Sequence, residues 1–442
     1  MVEFWMQFAV VILCIAIGAR YGGAGLGVAG GLGLAILVLF FHVKPSSPPI
    51  NVILIIASVI TCVAFLQASG GLDYLVSVSE KLLRKNPNRI TFMGPMVCFF
   101  ACLFCGSSYV AFSVWPVIAE VAIEARVRPE RALSMSVIAS QTALTGSPMS
   151  AATASLIAIL APQGVTPLMI MLTCIPACFL GTLIGCIFMY KRGPELANDP
   201  EFQRRVASGE FQDKPRAEKA AAQSFSSSSK LAVAIFGIGM LCVVLLGTFN
   251  QVLPSWTVGE KVVKLSVSEM MQIVMLAVAC IMMVCCKIPP SKAVSGSVFR
   301  SGMTGVIAVF GIAWFTGTFF AQYSSLFTAT FGEVLSSMPF LFLIALIVLA
   351  ALLMSQGSTT ATVMPLGVTL GIAPAFLVAM YPAVSFLFVI PAGATMVSCI
   401  AFDRTGTTKI GKYVLNHSYM LPGIVSVLSS VALAYCFSLL VF

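Results

Sequence analysis

The sequence predicts an all-α, polytopic membrane protein, and three observations carry that assignment. Of 442 residues, 59% are hydrophobic and only 9% are charged, against roughly 45–50% and 25% in an average soluble domain. Mean hydropathy is +1.01, which is more apolar surface than a globule of this size can hide. The apolar runs are also continuous, whereas a membrane β-barrel alternates apolar and polar residues over ~10-residue strands. The net charge of +9 invites a nucleic-acid partner, but its distribution argues for the bilayer instead. No Asp, Glu, Lys or Arg lies between Arg131 and Lys191, and from Ser301 to Phe402 the sole charged residue is Glu333.

Apolar runs fall at 4–19, 21–41, 50–68, 90–123, 132–160, 168–190, 231–253, 268–286, 303–320, 339–371, 374–401 and 420–441. The first run ends on small residues, Ala16 and Gly18, as a cleaved signal would. Glu3 and the lack of a positive leading region favour a retained helix instead. The second run holds Gly22-Gly23-Ala24-Gly25-Leu26-Gly27 and Gly30-Gly31-Leu32-Gly33. No strand precedes these glycines, so they read as close helix packing rather than a nucleotide loop. The fourteen cysteines lie mostly inside apolar stretches and read as small buried hydrophobes. Cys102 and Cys105 form a C-x-x-C without a second pair or a histidine cluster, so no metal site is expected.

Runs 90–123 and 339–371 are too long for one simple span, and each carries a polar, glycine-containing break. The breaks are Cys105-Gly106-Ser107-Ser108 and Ser355-Gln356-Gly357-Ser358-Thr359-Thr360. Arms of ~15 residues reach only ~22 Å at 1.5 Å per residue, short of the ~30 Å hydrocarbon core. Both are therefore predicted as re-entrant hairpins. Runs 132–160 and 374–401 are interrupted by proline, at Gly146-Ser147-Pro148 and Pro391-Ala392-Gly393-Ala394. Proline deletes a backbone hydrogen bond, so these read as crossing helices with an unwound middle.

The positive-inside rule orients the threading. With both termini outside, 22 of the 25 Lys and Arg fall in inner loops, and Lys44, Lys261 and Lys264 stay outside. Two inverted repeats emerge, each of five spans plus one re-entrant hairpin. Residues 1–190 hold three spans, hairpin 90–123, broken helix 132–160 and span 168–190. Residues 231–442 hold three spans, hairpin 339–371, broken helix 374–401 and span 420–441. The charged, Ser-rich stretch 191–230 reads as a flexible cytoplasmic linker. Inverted repeats with discontinuous helices are the architecture of secondary transporters, whose substrates sit where the broken helices meet.

No carboxylate, lysine or histidine lies inside the predicted core, which counts against a membrane proton relay. The same absence removes a nucleophile–base pair or metal cluster, so no enzyme, cofactor or metal is expected. The core offers four helix breaks rich in glycine and hydroxyls. Helix N-termini at such breaks present free N–H groups and partial positive charge to an anion. Four ends with hydroxyl bonds amount to about 4–7 kcal/mol, or roughly millimolar to ten-micromolar binding. The candidate ligands are Gly106, Ser107 and Ser108 at the first tip, and Gln141, Ser147, Pro148 and Ser150 in the first broken helix. Ser355, Gln356, Gly357, Ser358 and Thr359 join them at the second tip, with Pro391 and Thr395 in the second broken helix. The bland alternative is that Ser and Thr bond the i−4 carbonyl or a neighbouring helix. Asp403 and Arg404 follow the second broken helix and suit either a cap or a gate coupled to a cation. Arg128-Pro129-Glu130-Arg131 reads as an inner loop that sets orientation.

Specific stretches carry a wider resemblance. They are Gln67-Ala68-Ser69-Gly70-Gly71-Leu72-Asp73, Glu80-Lys81-Leu82-Leu83-Arg84-Lys85-Asn86-Pro87 and Ser147-Pro148-Met149-Ser150. Phe299-Arg300-Ser301-Gly302-Met303, Gly311-Ile312-Ala313-Trp314, Ser355-Gln356 and Asp403-Arg404-Thr405-Gly406-Thr407-Thr408 continue the series. The chain resembles the anaerobic C4-dicarboxylate transporter (Dcu) family nearly end to end. The resemblance implies a bacterial inner-membrane exchanger of fumarate, malate or aspartate for succinate, moving elevator-fashion as a homodimer. The family pattern reads Gly-Thr-Gly at the first tip and Pro-Thr-Tyr-Pro at the last break, where this chain has Gly106-Ser107-Ser108 and Pro391-Ala392-Gly393-Ala394. Those departures leave open a different small organic anion. A cation-coupled antiporter, against which the lack of a mid-membrane acid counts, and a sensor that binds without transport are the other readings.

Overall fold

The computed structural model describes residues 2–21, 24–211, 226–258, 261–323, 326, 340–391, 394–411 and 416–442. Gly22, Gly23, Glu333, linker residues 212–225, hairpin residue 339, Ala392, Gly393 and Lys412 lie outside these described residues. The first half opens with apolar helices α1 (Val2–Tyr21), α2 (Ala24–Ala35, continued by a π turn over Ile36–Phe40) and α3 (Ile50–Ala68). There follow α4 (Gly71–Lys85), α5 (Ile90–Cys105), α6 (Ala111–Glu124), α7 (Pro129–Gly146), α8 (Ala151–Leu160) and α9 (Pro167–Met189). A short α10 (Pro200–Ala207) then precedes α11 (Ser227–Thr248), α12 (Val267–Cys285), α13 (Pro290–Val294) and α14 (Ser297–Gln322). The chain ends with α15 (Phe340–Leu353), α16 (Gln356–Thr369), α17 (Pro374–Met380), α18 (Ala394–Phe402) and α19 (Met420–Val441). An antiparallel pair, β1 (Ser255–Val258) and β2 (Lys261–Lys264), joins α11 to α12. It is a small β element that the sequence reading did not expect.

Local chemistry explains where the helices start. Thr166 caps α9 by accepting from the Met169 N–H, with Pro167 in the first turn. Ser266 and Glu269 form a reciprocal capping box at α12, which satisfies two donors that the helix cannot. Among the described residues, eight helical stretches are long and apolar enough to cross a membrane. Four shorter apolar helices, Val2–Gly18, Ala24–Phe40, Phe340–Leu353 and Pro374–Phe388, accompany them. The chain is thus an all-α polytopic membrane protein.

Both long apolar runs turn back on themselves. Helix α5 measures about 24 Å and α6 about 21 Å, with left-handed Gly106 between them at φ 64. Arg84, just before α5, lies 3.6 Å from Glu124 at the far end of α6, so both arms return to one level. In the second pair, a Cβ on Gly367 near the end of α16 would lie 2.8 Å from Phe342 at the start of α15. The breaks in the crossing helices differ from each other. Helix α7 stops at Gly146 and α8 restarts at Ala151. In the second crossing helix the unwinding begins at Tyr381, ten residues before Pro391, and runs as a 3-10 turn to Phe388. Pro382 has no N–H to donate to the helical ladder.

Glycine sets the closest approaches. A Cβ on Gly30 of α2 would lie 2.6 Å from the Gly311 carbonyl carbon of α14, and Gly27 abuts the Ile307 carbonyl. Gly181 and Gly185 do the same for α9 against Ser426 and Ser430 of α19.

The stretch 191–230 departs from a flexible linker over its first half, 191–211. Leu196, Phe202 and Phe211 form an apolar cluster with Ile123 at the end of α6. Asp199 caps α10 by accepting from the Glu201 and Phe202 N–H groups, each at 3.0 Å. It also pairs with Arg128, and both side chains are buried. Arg131 donates to the carbonyls of Arg192 at 2.8 Å and Gly193 at 3.0 Å. The arginines read as an orienting loop are therefore clamps on the following segment.

Candidate functional site

A cavity of about 590 Å³ sits where the four breaks meet. One side is polar and built from the breaks: Gly106, Ser107 and Ser108 from the first tip, Gln141 and Ser150 from the first crossing helix, Ser355, Gln356 and Gly357 from the second tip, and Thr395 from α18. The rest of the lining is mainly apolar and comes from α3 (Ile56, Val59, Ile60, Val63) and α14 (Val298, Gly302, Gly305, Ala308, Val309, with Thr304 polar), together with Tyr21 and Leu26. Among the described residues, none of the lining side chains carries a charge.

Two helix N-termini converge on this space. Ser150 caps α8 by accepting from the Thr153 N–H at 3.1 Å, and Ser355 caps α16 by accepting from the Ser358 N–H at 3.3 Å. The next N–H groups of each helix have no intrahelical acceptor, and their residues Ala151, Ala152, Gln356 and Gly357 line the cavity. The two ends lie close together, since a Cβ on Gly357 would sit 3.8 Å from the Ala151 Cβ. Met354, beside the second tip, holds the left-handed region at φ 46, as Gly106 does at the first. The chain reverses at both points, but only the first carries the residue that adopts this conformation without strain.

Hydrogen bonds lock the breaks to each other. Gln356 Nε2 donates to the Gln141 carbonyl at 2.9 Å and to Ser385 Oγ at 3.0 Å. Gln141 Nε2 donates to Thr395 Oγ1 at 3.2 Å. Tyr381 OH and Thr153 Oγ1 lie 3.2 Å apart, tying the 3-10 segment to α8. Among the described residues, Ser358 Oγ and Gln356 Oε1 are buried with no partner.

The remaining sequence candidates sit elsewhere. Ser147 is fully buried, and its Oγ accepts from the Met149 N–H at 3.3 Å. Pro148, Ser358, Thr359 and Pro391 do not line the cavity. Thr359 Oγ1 donates back to the Ser355 carbonyl at 2.8 Å, the i−4 habit of membrane hydroxyls. Asp403 lies outside the cavity and accepts from the Thr405 and Thr408 N–H groups and from the Thr405 and Thr407 hydroxyls. That arrangement folds the loop after α18. Arg404 stacks on Phe211 at 5.7 Å, and its carbonyl accepts from Arg205. The sequence reading missed Ser385, Tyr381 and Thr153. The dipeptide Tyr381-Pro382 was the available signal, a proline well inside an apolar run.

A half-open chamber between paired helix N-termini, with no charged side chain among its described lining, has the chemistry to hold a small anion without a fixed cation and release it again. A family model described as "Anaerobic c4-dicarboxylate membrane transporter" matches residues 3–442. The C4-dicarboxylate transporter DcuA of Wolinella succinogenes is 39% identical over 433 residues, covering 97% of this chain and 98% of that one. The anaerobic C4-dicarboxylate transporter DcuB of Escherichia coli is 35% identical over 442 residues, covering 98% of each. Two solved structures share the fold at low identity. MtrF of Neisseria gonorrhoeae superposes with a TM-score of 0.54 at 12% identity, over 98% of this chain and 94% of that one. The YdaH transporter of Alcanivorax borkumensis gives 0.51 at 16%, over 100% and 96%.

Proposed function

The chain belongs to the anaerobic C4-dicarboxylate membrane transporter family, a family of carriers rather than enzymes, and we propose that it exchanges small C4-dicarboxylates across the bacterial inner membrane. Fumarate, malate, aspartate and succinate are the substrates this reading names. The observation that carries it is the chamber itself, free of charged side chains and faced by the N-termini of α8 and α16. A dianion brings two negative ends, and two helix ends in one chamber supply matching partial positive charge. Ser107 and Ser108 add hydroxyls on the same wall, while the Ser150 hydroxyl donates to the Leu144 carbonyl and serves the cap.

Antiport is the mode that the family resemblance implies, with the returning substrate resetting the carrier, and the lack of a mid-membrane acid among the described residues counts against proton coupling. In this reading residues 1–190 and 231–442 are inverted repeats with both termini periplasmic. The hairpins and crossing helices slide as one body along the smooth face of α3 and α14, and the stationary helices pair with a second copy of the chain. Asp403 organises the loop behind the moving body. The experiment is direct. Proteoliposomes preloaded with succinate should take up labelled fumarate, and empty liposomes should not. Absence of exchange with every C4 acid would overturn the substrate assignment. Uptake without internal substrate would overturn antiport.

A further inference from the structure

Helix α4 plays no part in the chamber, yet its surface is sharply sorted. Its 15 residues span about 22 Å at 1.5 Å per residue and contain too many polar side chains to cross a bilayer. Leu72, Ser79 and Leu83 are buried and define its inner face. At about 100° per residue, Asp73, Glu80 and Arg84 fall on one flank. There Arg84 meets Glu80 at 3.0 Å and Glu124 of α6 at 3.6 Å. The opposite flank carries Tyr74, Val78, Lys81, Leu82 and Lys85 and no acid. Val78 and Leu82 are 48% and 45% exposed, one turn apart on this flank. Lys81 and Lys85 are exposed, and neither is among the ion pairs of the described residues. Lys230 adds a third ammonium, 5.9 Å from the Tyr74 ring.

The height of α4 follows from its neighbours. Helix α3 ends at Ala68, α5 begins at Ile90 and α11 begins at Ser227. Ser229 Oγ donates to the Ser69 carbonyl at 2.8 Å, which holds the ends of α3 and α11 at one level. Helix α4 thus crosses the spanning helices where they leave the bilayer. A helix there, with apolar residues between lysines, lies in the headgroup plane.

We propose that the Val78–Lys81–Leu82–Lys85 flank of α4 docks anionic phospholipid headgroups. Val78 and Leu82 enter the acyl boundary, and Lys81 and Lys85 meet the phosphates, with Lys230 beside them. The inference rests on the membrane reading of the chain and is independent of which substrate it carries. Each lysine near an anionic surface enriches the anionic lipid about fivefold.

The full chain carrying Leu82→Trp is reconstituted in vesicles containing brominated phosphatidylglycerol or, at equal mole fraction, brominated phosphatidylcholine. Quenching is read as the difference from the unaltered chain, whose four tryptophans supply the background. The expected result is stronger quenching by phosphatidylglycerol, with local enrichment of about fivefold or more. Lys81→Gln, Lys85→Gln and Lys230→Gln together should abolish that preference while leaving the quenching itself. Equal quenching by both lipids would overturn the anionic preference. No quenching by either would overturn membrane docking and assign the flank to water or to a second protein. Should Leu82→Trp fail to fold, Val78→Trp reads the same surface. Fumarate–succinate exchange in the same vesicles reports separately on the carrier reading.

Discussion

Replacing Asp199 by alanine removes two kinds of support at once. Its carboxylate pairs with Arg128, and the two side chains are only 5% and 7% exposed. Removing one partner of a buried pair costs about 3–5 kcal/mol, because the other charge stays buried. Arg128 retains Glu130 at 2.7 Å, which places the loss near about 3 kcal/mol at the lower end of that range. The same carboxylate accepts from the Glu201 and Phe202 N–H groups at the start of α10, and losing an N-cap costs about 1 kcal/mol more. Asp199→Ala should therefore destabilise by about 4 kcal/mol and Asp199→Asn, which keeps the cap, by about 3. Equilibrium unfolding in detergent micelles measures both. Trypsin adds a local readout, since Arg204 and Arg205 sit on α10 and should become cleavable in the alanine variant first. The paired change Arg128→Met with Asp199→Leu should cost less than Arg128→Met alone, which strands Asp199 as well as Glu130. If Asp199→Asn unfolds like the unaltered chain, the pair contributes nothing and the clamp argument fails.

Gly30→Leu should cost about 1–3 kcal/mol or more through overpacking against Gly311, whereas Gly31→Leu, with nothing within 4 Å, should be near neutral. Unfolding of the two variants in detergent decides it, and the reverse order would refute the glycine contact of α2 with α14. Gly106→Ala forces a side chain into φ 64 and brings its Cβ within 2.7 Å of the Met149 Cβ. The conformation alone costs about 1–2 kcal/mol, and exchange in proteoliposomes should fall sharply, while unchanged exchange would mean the tip need not rest on Met149. Burial lowers the pKa of His417 from 6.5, and its Nδ1 accepts from the Tyr419 N–H at 3.2 Å. The folded chain therefore prefers the neutral ring. Its stabilising contribution is complete above pH 6.5 and is lost as pH falls through the folded-state value, with a slope of at most about 1.4 kcal/mol per pH unit. Comparing the unfolding free energy of the unaltered chain and His417→Gln across that range tests it, since equal slopes would assign the acid sensitivity to another group.

Much of the architecture was readable because its causes are local. Composition alone places the chain in a bilayer, since no globule could bury this apolar surface. Polar clusters that contain glycine or proline within apolar runs make the breaks after Cys105, Gly146 and Leu353 visible as residue types, whereas lone prolines such as Pro95, Pro116 and Pro176 stay inside continuous helices. The break in the second crossing helix was less legible, because Pro382 and Pro391 are both competent breakers and sequence does not rank them. Hydroxyls were the weakest guide. Thr359 and Ser355 are neighbours in sequence, yet one turns back to its own helix and the other caps a helix end at the cavity. Which of the two a hydroxyl does depends on the acceptor nearest to it after folding.

The sequence by itself determined the class of the protein, its helix interruptions and the lack of fixed charge within its apolar core, because these follow from transfer free energy and backbone chemistry at single positions. Only the tertiary structure decided that the four interruptions share one cavity, that Gln356 joins them through Gln141 and Ser385, and that Arg128 and Arg131 hold the segment after α9. Those pairings bridge tens to hundreds of residues. No periodicity or propensity encodes them, since the partners become neighbours only when the helices pack.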